Sequence, residues 1–165
     1  MLLIVLKMAD RISKLRRSWN MSKIRSKNTK PEKRVRSVLY QMGYRFRLHN
    51  KNLPGIPDII LTKYHTVIFV HGCFWHRHEG CKFAYTPKSR LDFWQHKFDK
   101  NVQRDKEVVQ ELVKLGWRVL IIWECQIGDP LQLQDKLIRF MKEKYAAPLS
   151  SPLSRRSTLP IISID

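Results

Sequence analysis

The chain has 165 residues, enough for one domain with a proper core, and 43% of them are apolar, which excludes a disordered or fibrous protein. Lys and Arg number 32 against 14 Asp and Glu, giving a net charge of +18 and a pI of about 10.2. That surface suits a polyanion, with nucleic acid the first candidate.

MLLIVL at the start is apolar for only six residues. It has neither a basic leader region nor the length to span a bilayer, so no membrane role is expected, and Met8 stands as an alternative translation start. Residues 1–36 hold twelve Lys/Arg against Asp10 and Glu32, which concentrates the positive charge in the first fifth of the chain. RISKLRRSWNMSKIRSKN reads as a partly helical basic arm over residues 1–28. It can lie along phosphates or simply keep the chain soluble.

A helix opens at TKPE, where Thr29 and Glu32 have capping-box spacing and Pro31 lies in the first turn. Val35, Val38, Leu39 and Met42 form its buried stripe and Gly43 ends it. YRFRL (44–48) alternates as a half-exposed strand should, and LPGIP turns the chain. The short β-rich runs IIL (59–61) and TVIFV (66–70), joined by TKYH, predict a hairpin. The pattern turns helical over 89–115, WRVLIIWE (117–124) is expected to be the most buried strand, and PLQLQDKLIRFMKEKY closes as an amphipathic helix. Beyond Tyr145 the composition shifts to Pro, Ser and Arg without periodicity, so 146–165 reads as a disordered tail and 29–145 as the folded domain. The fold class is α/β, a mixed sheet flanked by helices.

Four groups of residues carry chemistry. HGCFWHRHEGC (71–81) holds three of the six histidines and two of the three cysteines. Three cysteines cannot pair completely, so metal binding and a reducing, cytoplasmic setting are favoured over a disulfide framework. Cys73, His78 and Cys81, with Cys125 at the end of a strand, suit a closed tetrahedral zinc site of structural type. The alternatives are Cys125 as a core residue and His76 in place of His78 as ligand.

Asp58 in GIPDIIL is either a turn former or a carboxylate brought to a sheet edge beside TVIFVHG. There it could hold Mg²⁺ together with a backbone carbonyl and phosphate oxygens. His71 and His76 are candidate proton acceptors for an attacking water. Asn101 and Asp105 stand four apart on one helix face. Asp105 either orients an imidazole or pairs with Arg104 or Lys106 at the surface. Phe74, Trp75 and Trp94, set among polar residues, either pack inside or stack on bases. Trp117 and Trp123 are expected in the core.

LPGIPDIIL, VIFVHGCFWHRH, FWQHKFDKNVQRD and LGWRVLIIWEC, in that order, closely resemble the very short patch repair endonucleases, from about Trp19 to Gly128. The resemblance implies a restriction-endonuclease-like fold. It also implies nicking of double-stranded DNA 5′ to the thymine of a T:G mismatch that arises from 5-methylcytosine deamination. By the same resemblance Asp58 binds Mg²⁺ with the carbonyl of Val70, a position where the family has a threonine. His76 activates water, His71 is its companion, Asp105 pairs with His76, and Asn101 and the acidic Glu32 lie nearby. Cys73, His78, Cys81 and Cys125 match structural zinc ligands; two residues, Glu79 and Gly80, separate His78 from Cys81 where some of the family have one, an insertion that Gly80 is expected to absorb. Phe74, Trp75 and Trp94 match an aromatic wedge pushed in beside the mismatch, and Met21 on the arm enters from the opposite groove. A monomer is implied, handing its nick to a DNA polymerase or mismatch-repair proteins. The Asp…Glu-x-Lys pattern of other nucleases is absent, with histidine in place of the lysine. A non-catalytic, zinc-stabilised DNA-binding module and, more weakly, an RNA-binding protein are the competing readings; neither has reason to assemble Asp58, His71 and His76.

Overall fold

The computed structural model describes residues 13–23 and 25–143. The expectations for the MLLIVL start, for Met8 and for the tail 146–165 lie outside them. A basic helix α1 (Lys14–Ser22) begins at Ser13, whose hydroxyl accepts the N–H of Arg16. Leu15, Trp19 and Met21 on it are exposed. α2 (Lys30–Gln41) starts with the anticipated capping box. Thr29 Oγ1 accepts the N–H of Glu32, and Glu32 Oε1 accepts the N–H of Thr29.

Three strands form the sheet, in the order β1 (Ile59–Leu61), β2 (Thr66–His71), β3 (Arg118–Trp123). β1 and β2 make the antiparallel hairpin, turned by a single 3₁₀ turn at Thr62–Tyr64 and by His65 in the left-handed region at φ 48°. β2 and β3 run parallel, with Thr66 opposite Arg118 and His71 opposite Trp123. The intervening crossover holds the short helix α3 (Cys73–His76), which has no sequence signal of its own, and the long α4 (Leu91–Lys114). α5 (Pro130–Lys142) closes the chain behind the Asp129 cap.

The sheet separates two apolar layers. Val35 and Leu39 of α2 and Leu133, Leu137 and Phe140 of α5 pack with Ile59, Leu61, Ile68, Leu120 and Ile122 on one face. Leu112 of α4 packs with Ile60, Val67 and Phe69 on the other. The architecture is therefore mixed α/β, a small sheet between helices.

Three expectations need correction. The stretch 44–48 keeps its alternation, with Tyr44 and Phe46 turned toward the core and Arg45 and Arg47 outward, but it forms a single bridge to β1. Arg47 and Ile60 exchange both backbone bonds, at 2.9 and 2.8 Å. The ladder stops because β1 passes into the 3₁₀ turn at Thr62 and His49 turns left-handed at φ 50°. Both β1 and β2 are more buried than 117–124. β2 is bonded on both sides, and a central strand covered on both faces reads as a continuous apolar run. Trp123, expected in the core, is only half-buried and stands at the end of β3 among histidines. Trp117 packs partly buried against the smaller apolar layer.

Candidate active site and metal centre

LPGIP is the turn that delivers Asp58. Gly55 has φ 68°, and a Cβ there would run into the Val108 side chain, so the chain passes α4 at glycine distance. Ile56, a β-branched residue, is held left-handed at φ 52°, a strained conformation two residues before the carboxylate. Asp58 then lies just ahead of β1, and its Oδ2 accepts the N–H of Val70 at 2.8 Å. Burial pushes the Asp58 carboxyl up to about 6, and the Val70 N–H opposes that rise.

Val70 lies past the last residue paired with β1, with its N–H turned to Asp58. In extended backbone the carbonyl of the same residue turns to the same side, as the paired exchange of bonds in an antiparallel ladder requires. The Asp58 carboxylate, penalised by burial, has ligand atoms of Glu32 and His49 within 4.8 Å, and the carboxylate oxygens with the Val70 carbonyl fit a hard divalent cation.

β2 ends at His71, which is buried, and α3 carries His76 back over it. The two imidazole rings stack at 3.8 Å and 11°. Burial, and then the charge of His76, lower His71 to about 3, so that ring is neutral near neutral pH. His76 Nδ1 lies 2.5 Å from Asp105 Oδ2, which fixes Nδ1 as the donor and leaves Nε2 an acceptor. Asp105 also receives Arg104 Nη2 at 3.0 Å, so the two alternatives for its role coexist. One turn earlier on α4, Asn101 Nδ2 donates to the Trp75 carbonyl at 3.0 Å and so pins α3 in place.

Glu32 does two things. It closes the capping box, and its buried carboxylate takes Arg36 Nη2 at 2.6 Å within reach of the Asp58 side chain. Sequence reasoning passed over His49, whose Nε2 sits 3.2 Å from Arg36 Nη2. A lone histidine in a polar stretch carries no pattern, whereas Arg36 was readable as the i,i+4 partner of Glu32. Asp58, His71, His76, Asp105 and Glu32 all line one cleft of about 1210 Å³, together with Lys27, Lys30, Lys97, Arg104 and Glu124.

The second centre lies just behind. The ligand atoms of Cys73, His78, Cys81 and Cys125 all fall within 4.8 Å of one another. His78 Nδ1 is 3.7 Å from Cys73 Sγ and 3.3 Å from Cys125 Sγ. Tetrahedral zinc with ordinary bond lengths separates sulfur from nitrogen by about 3.6 Å, so the set fits that ion. Metal-free, the Cys73 thiol is pushed up to about 12, mostly by burial, and a bound cation would hold it as thiolate. His76 belongs to the Asp105 group instead. Gly80 takes φ 66° with open space around it, which gives the one-residue insertion its turn. Trp123 joins the two centres: its ring stacks on His78 at 4.3 Å and meets His71 edge-on at 5.4 Å.

Phe74 and Trp75 leave α3 toward α4 and meet Trp94 there, with centroids 5.4 and 6.0 Å from it. Buried Phe98 anchors the group, 5.2 Å from Phe74, and Arg77 lies over the Phe98 ring at 4.4 Å. The three candidate wedge residues are half-buried against one another rather than scattered, and Met21 stands exposed on α1.

Comparison with known proteins identifies the family. Residues 9–82 match the family model described as DNA mismatch endonuclease Vsr. The chain is similar to the Type II nicking enzyme V.XorIIP of Xanthomonas oryzae pv. oryzae, 51% identical over 130 residues, which is 79% of this chain and 95% of the relative. It is similar to the DNA mismatch endonuclease Vsr of Escherichia coli, 43% identical over 138 residues, covering 84% and 88%. The Type II nicking enzyme V.NmeAIP of Neisseria meningitidis is 43% identical over 136 residues, covering 82% and 96%. With its aligned span reaching nearly end to end of these relatives, the chain belongs to the Vsr family of DNA mismatch endonucleases.

Proposed function

We propose that this protein is a DNA-nicking endonuclease that cuts 5′ to the thymine of T:G mismatches left by deamination of 5-methylcytosine, with Mg²⁺ as its catalytic ion. The observation that carries the reading is the meeting of Asp58, the His71–His76 stack and Asp105 in one basic cleft beside an aromatic group. A pure binding module has no need of that set.

Asp58 and the Val70 carbonyl would hold Mg²⁺, which when bound stabilises charge on the phosphate and lowers the pKa of water. The proton chemistry belongs to this chain. His76 Nε2 accepts a proton from the attacking water while Nδ1–H stays on Asp105, which stabilises the imidazolium that forms. The water oxygen bonds to phosphorus as the bond to the leaving sugar oxygen breaks. His71, kept neutral by burial, supports the His76 ring from beneath without adding a second positive charge.

Zinc held by Cys73, His78, Cys81 and Cys125 would be structural, since four protein ligands leave no open position. Phe74, Trp75 and Trp94 would enter the base stack as a unit, and Met21 would meet them from the opposite groove. A restriction-endonuclease-like core, an arm over 1–28 and a domain over 29–145 complete the reading. So do a monomeric state, a bacterial cytoplasmic setting, and transfer of the nick to a polymerase or mismatch-repair proteins. No helix of the described residues is long and apolar enough to cross a membrane.

The test is a pair of duplexes that differ in one base. With Mg²⁺ the full-length protein is expected to nick the T:G duplex on the thymine strand and to leave the T:A duplex intact. Tight binding of the T:G duplex without any cut would favour the binding-module reading.

Electrostatics give a second expectation. Each phosphate neutralised by a lysine or arginine contributes roughly −0.9 to the slope of log K against log salt. Lys27 and Lys30 line the cleft, so replacing each with alanine should flatten that slope by about this amount; a slope unchanged in both variants would remove them from the DNA path.

A further inference from the structure

The contacts at the start of α2 exceed what a helix start requires. A capping box needs Thr29 and one Glu32 oxygen, yet the Glu32 carboxylate collects four donors. Its Oε1 accepts the Thr29 N–H at 3.2 Å and the Thr29 hydroxyl at 2.8 Å. Its Oε2 accepts the Asn28 N–H at 2.9 Å and Arg36 Nη2 at 2.6 Å. A carboxylate offers about four lone-pair positions, so a direct bond from Glu32 to a cation would have to expel one of these donors.

Arg36 carries the contacts beyond α2. Its Nη1 donates to Asn28 Oδ1 at 2.6 Å, eight residues back along the chain, and its Nη2 lies 3.2 Å from His49 Nε2. The guanidinium fork thus joins α2, the linker that precedes it and the stretch that leads into the LPGIP turn. An i,i+4 pair that served only the helix would engage Glu32 alone. Asn28 is left-handed at φ 55°, a conformation that asparagine tolerates, and it redirects the chain just ahead of the Thr29 cap. Its N–H and its side-chain oxygen both end on the Glu32–Arg36 pair, which therefore sets the direction of the linker. Arg25 and Lys27 on that linker are exposed and line the cleft. The pair itself is mostly buried, with 12% of the Arg36 side chain and 4% of the Glu32 side chain exposed. A buried ion pair is weak ground for stability, and its attested use is to fix one arrangement against others.

We infer that Arg36 is a positioning residue for the nicking reaction: bridging Glu32 and Asn28, it latches the linker 25–28 so that Arg25 and Lys27 face the duplex phosphates. The inference rests on the nicking function proposed above and deepens it.

The experiment uses the full-length protein, two single variants and their combination. Arg36→Lys keeps a cation for Glu32 but loses the fork. Asn28→Gly keeps the left-handed backbone and removes the acceptor of Nη1. The free proteins are first digested briefly with trypsin and the fragments read by mass spectrometry. Cleavage after Arg25 and Lys27 should be about fivefold faster or more in both variants, as loss of a charge-assisted hydrogen bond implies, with cleavage inside 29–143 unchanged. Nicking of the T:G duplex with Mg²⁺ is then measured. KM should rise by about fivefold or more while kcat at saturating duplex stays within about twofold. Because both substitutions break one contact, the double variant should be no worse than the poorer single one. An unchanged KM in Arg36→Lys, a fall in kcat instead, faster cleavage at all sites alike, or effects that multiply in the double variant would each overturn the latch. A wild type that binds but never nicks, with linker cleavage and duplex binding still dependent on Arg36, would sustain the latch and overturn the nicking function.

Discussion

Replacing Asp58 with asparagine is expected to slow nicking by about a thousandfold while leaving the protein folded and able to bind its duplex. Removal of a catalytic ion's anchor forfeits several kcal/mol of transition-state stabilisation, which sets the scale. Asparagine keeps the shape and an acceptor for the Val70 N–H, so only the negative charge is lost. A variant that cuts at the wild-type rate would remove Asp58 from the reaction.

The same substitution has a second, activity-free signature. Asp58 is raised to about 6, above an unfolded value of about 4, so its contribution to stability is present below pH ~4 and is lost as pH rises through ~6. At neutral pH the ionised, metal-free carboxylate costs on the order of 3 kcal/mol. His71 runs the other way: lowered to about 3 from about 6.5, it contributes stability above pH ~6.5 that is lost as pH falls through ~3. The two slopes oppose each other between about pH 4 and 6 in the wild type. Asp58→Asn removes the opposing slope and leaves those of His71 and of His49, which burial also lowers, so in magnesium-free buffer its urea midpoint should climb with pH across that window. Added Mg²⁺ should raise the wild-type midpoint above pH ~6 and leave that of Asp58→Asn unmoved, because the ion needs the ionised carboxylate.

Much of this site was legible in sequence because its parts are local. The Thr29–Glu32 capping box, the spacing of Asn101 and Asp105 on one helix face, and the crowding in HGCFWHRHEGC are short-range patterns, and each reappears in the fold. Spacing alone could not separate His76 from His78. The structure separates them through a partner 29 residues away for His76 and one 47 residues away for His78. His49 was invisible for the same reason: its partner Arg36 lies 13 residues away, on α2.

The strands misled where neighbours decide the outcome. YRFRL has perfect alternation, yet a three-residue partner strand gives it one bridge. WRVLIIWE is more apolar than an edge strand needs to be, and its last tryptophan is drawn out of the core to stack on a histidine. That displacement was unreadable locally, and it is what couples the two centres.

The coupling makes loss of the zinc proposed at Cys73, His78, Cys81 and Cys125 the other large effect. Cys73→Ala should lose its zinc, lower the thermal midpoint by roughly 10–15 °C and abolish nicking, as loss of about 3–5 kcal/mol from a chain of this size would do. Cys73 is fully buried at the start of α3 and Cys125 follows β3, so the metal would close a loop of about fifty residues that contains all of α4. Opening that loop frees α3 at one end, and α3 carries Phe74, Trp75 and His76. Chelation of wild type should therefore reproduce the variant, and restored zinc should rescue the wild type alone. Elemental analysis should find one zinc per chain before chelation. A folded, metal-free wild type with an unchanged midpoint would mean that the thiols and imidazole hold the loop by packing, chiefly the His78–Trp123 stack. In that case Trp123→Ala, not Cys73→Ala, would be the variant that loosens both the wedge and the proton acceptor.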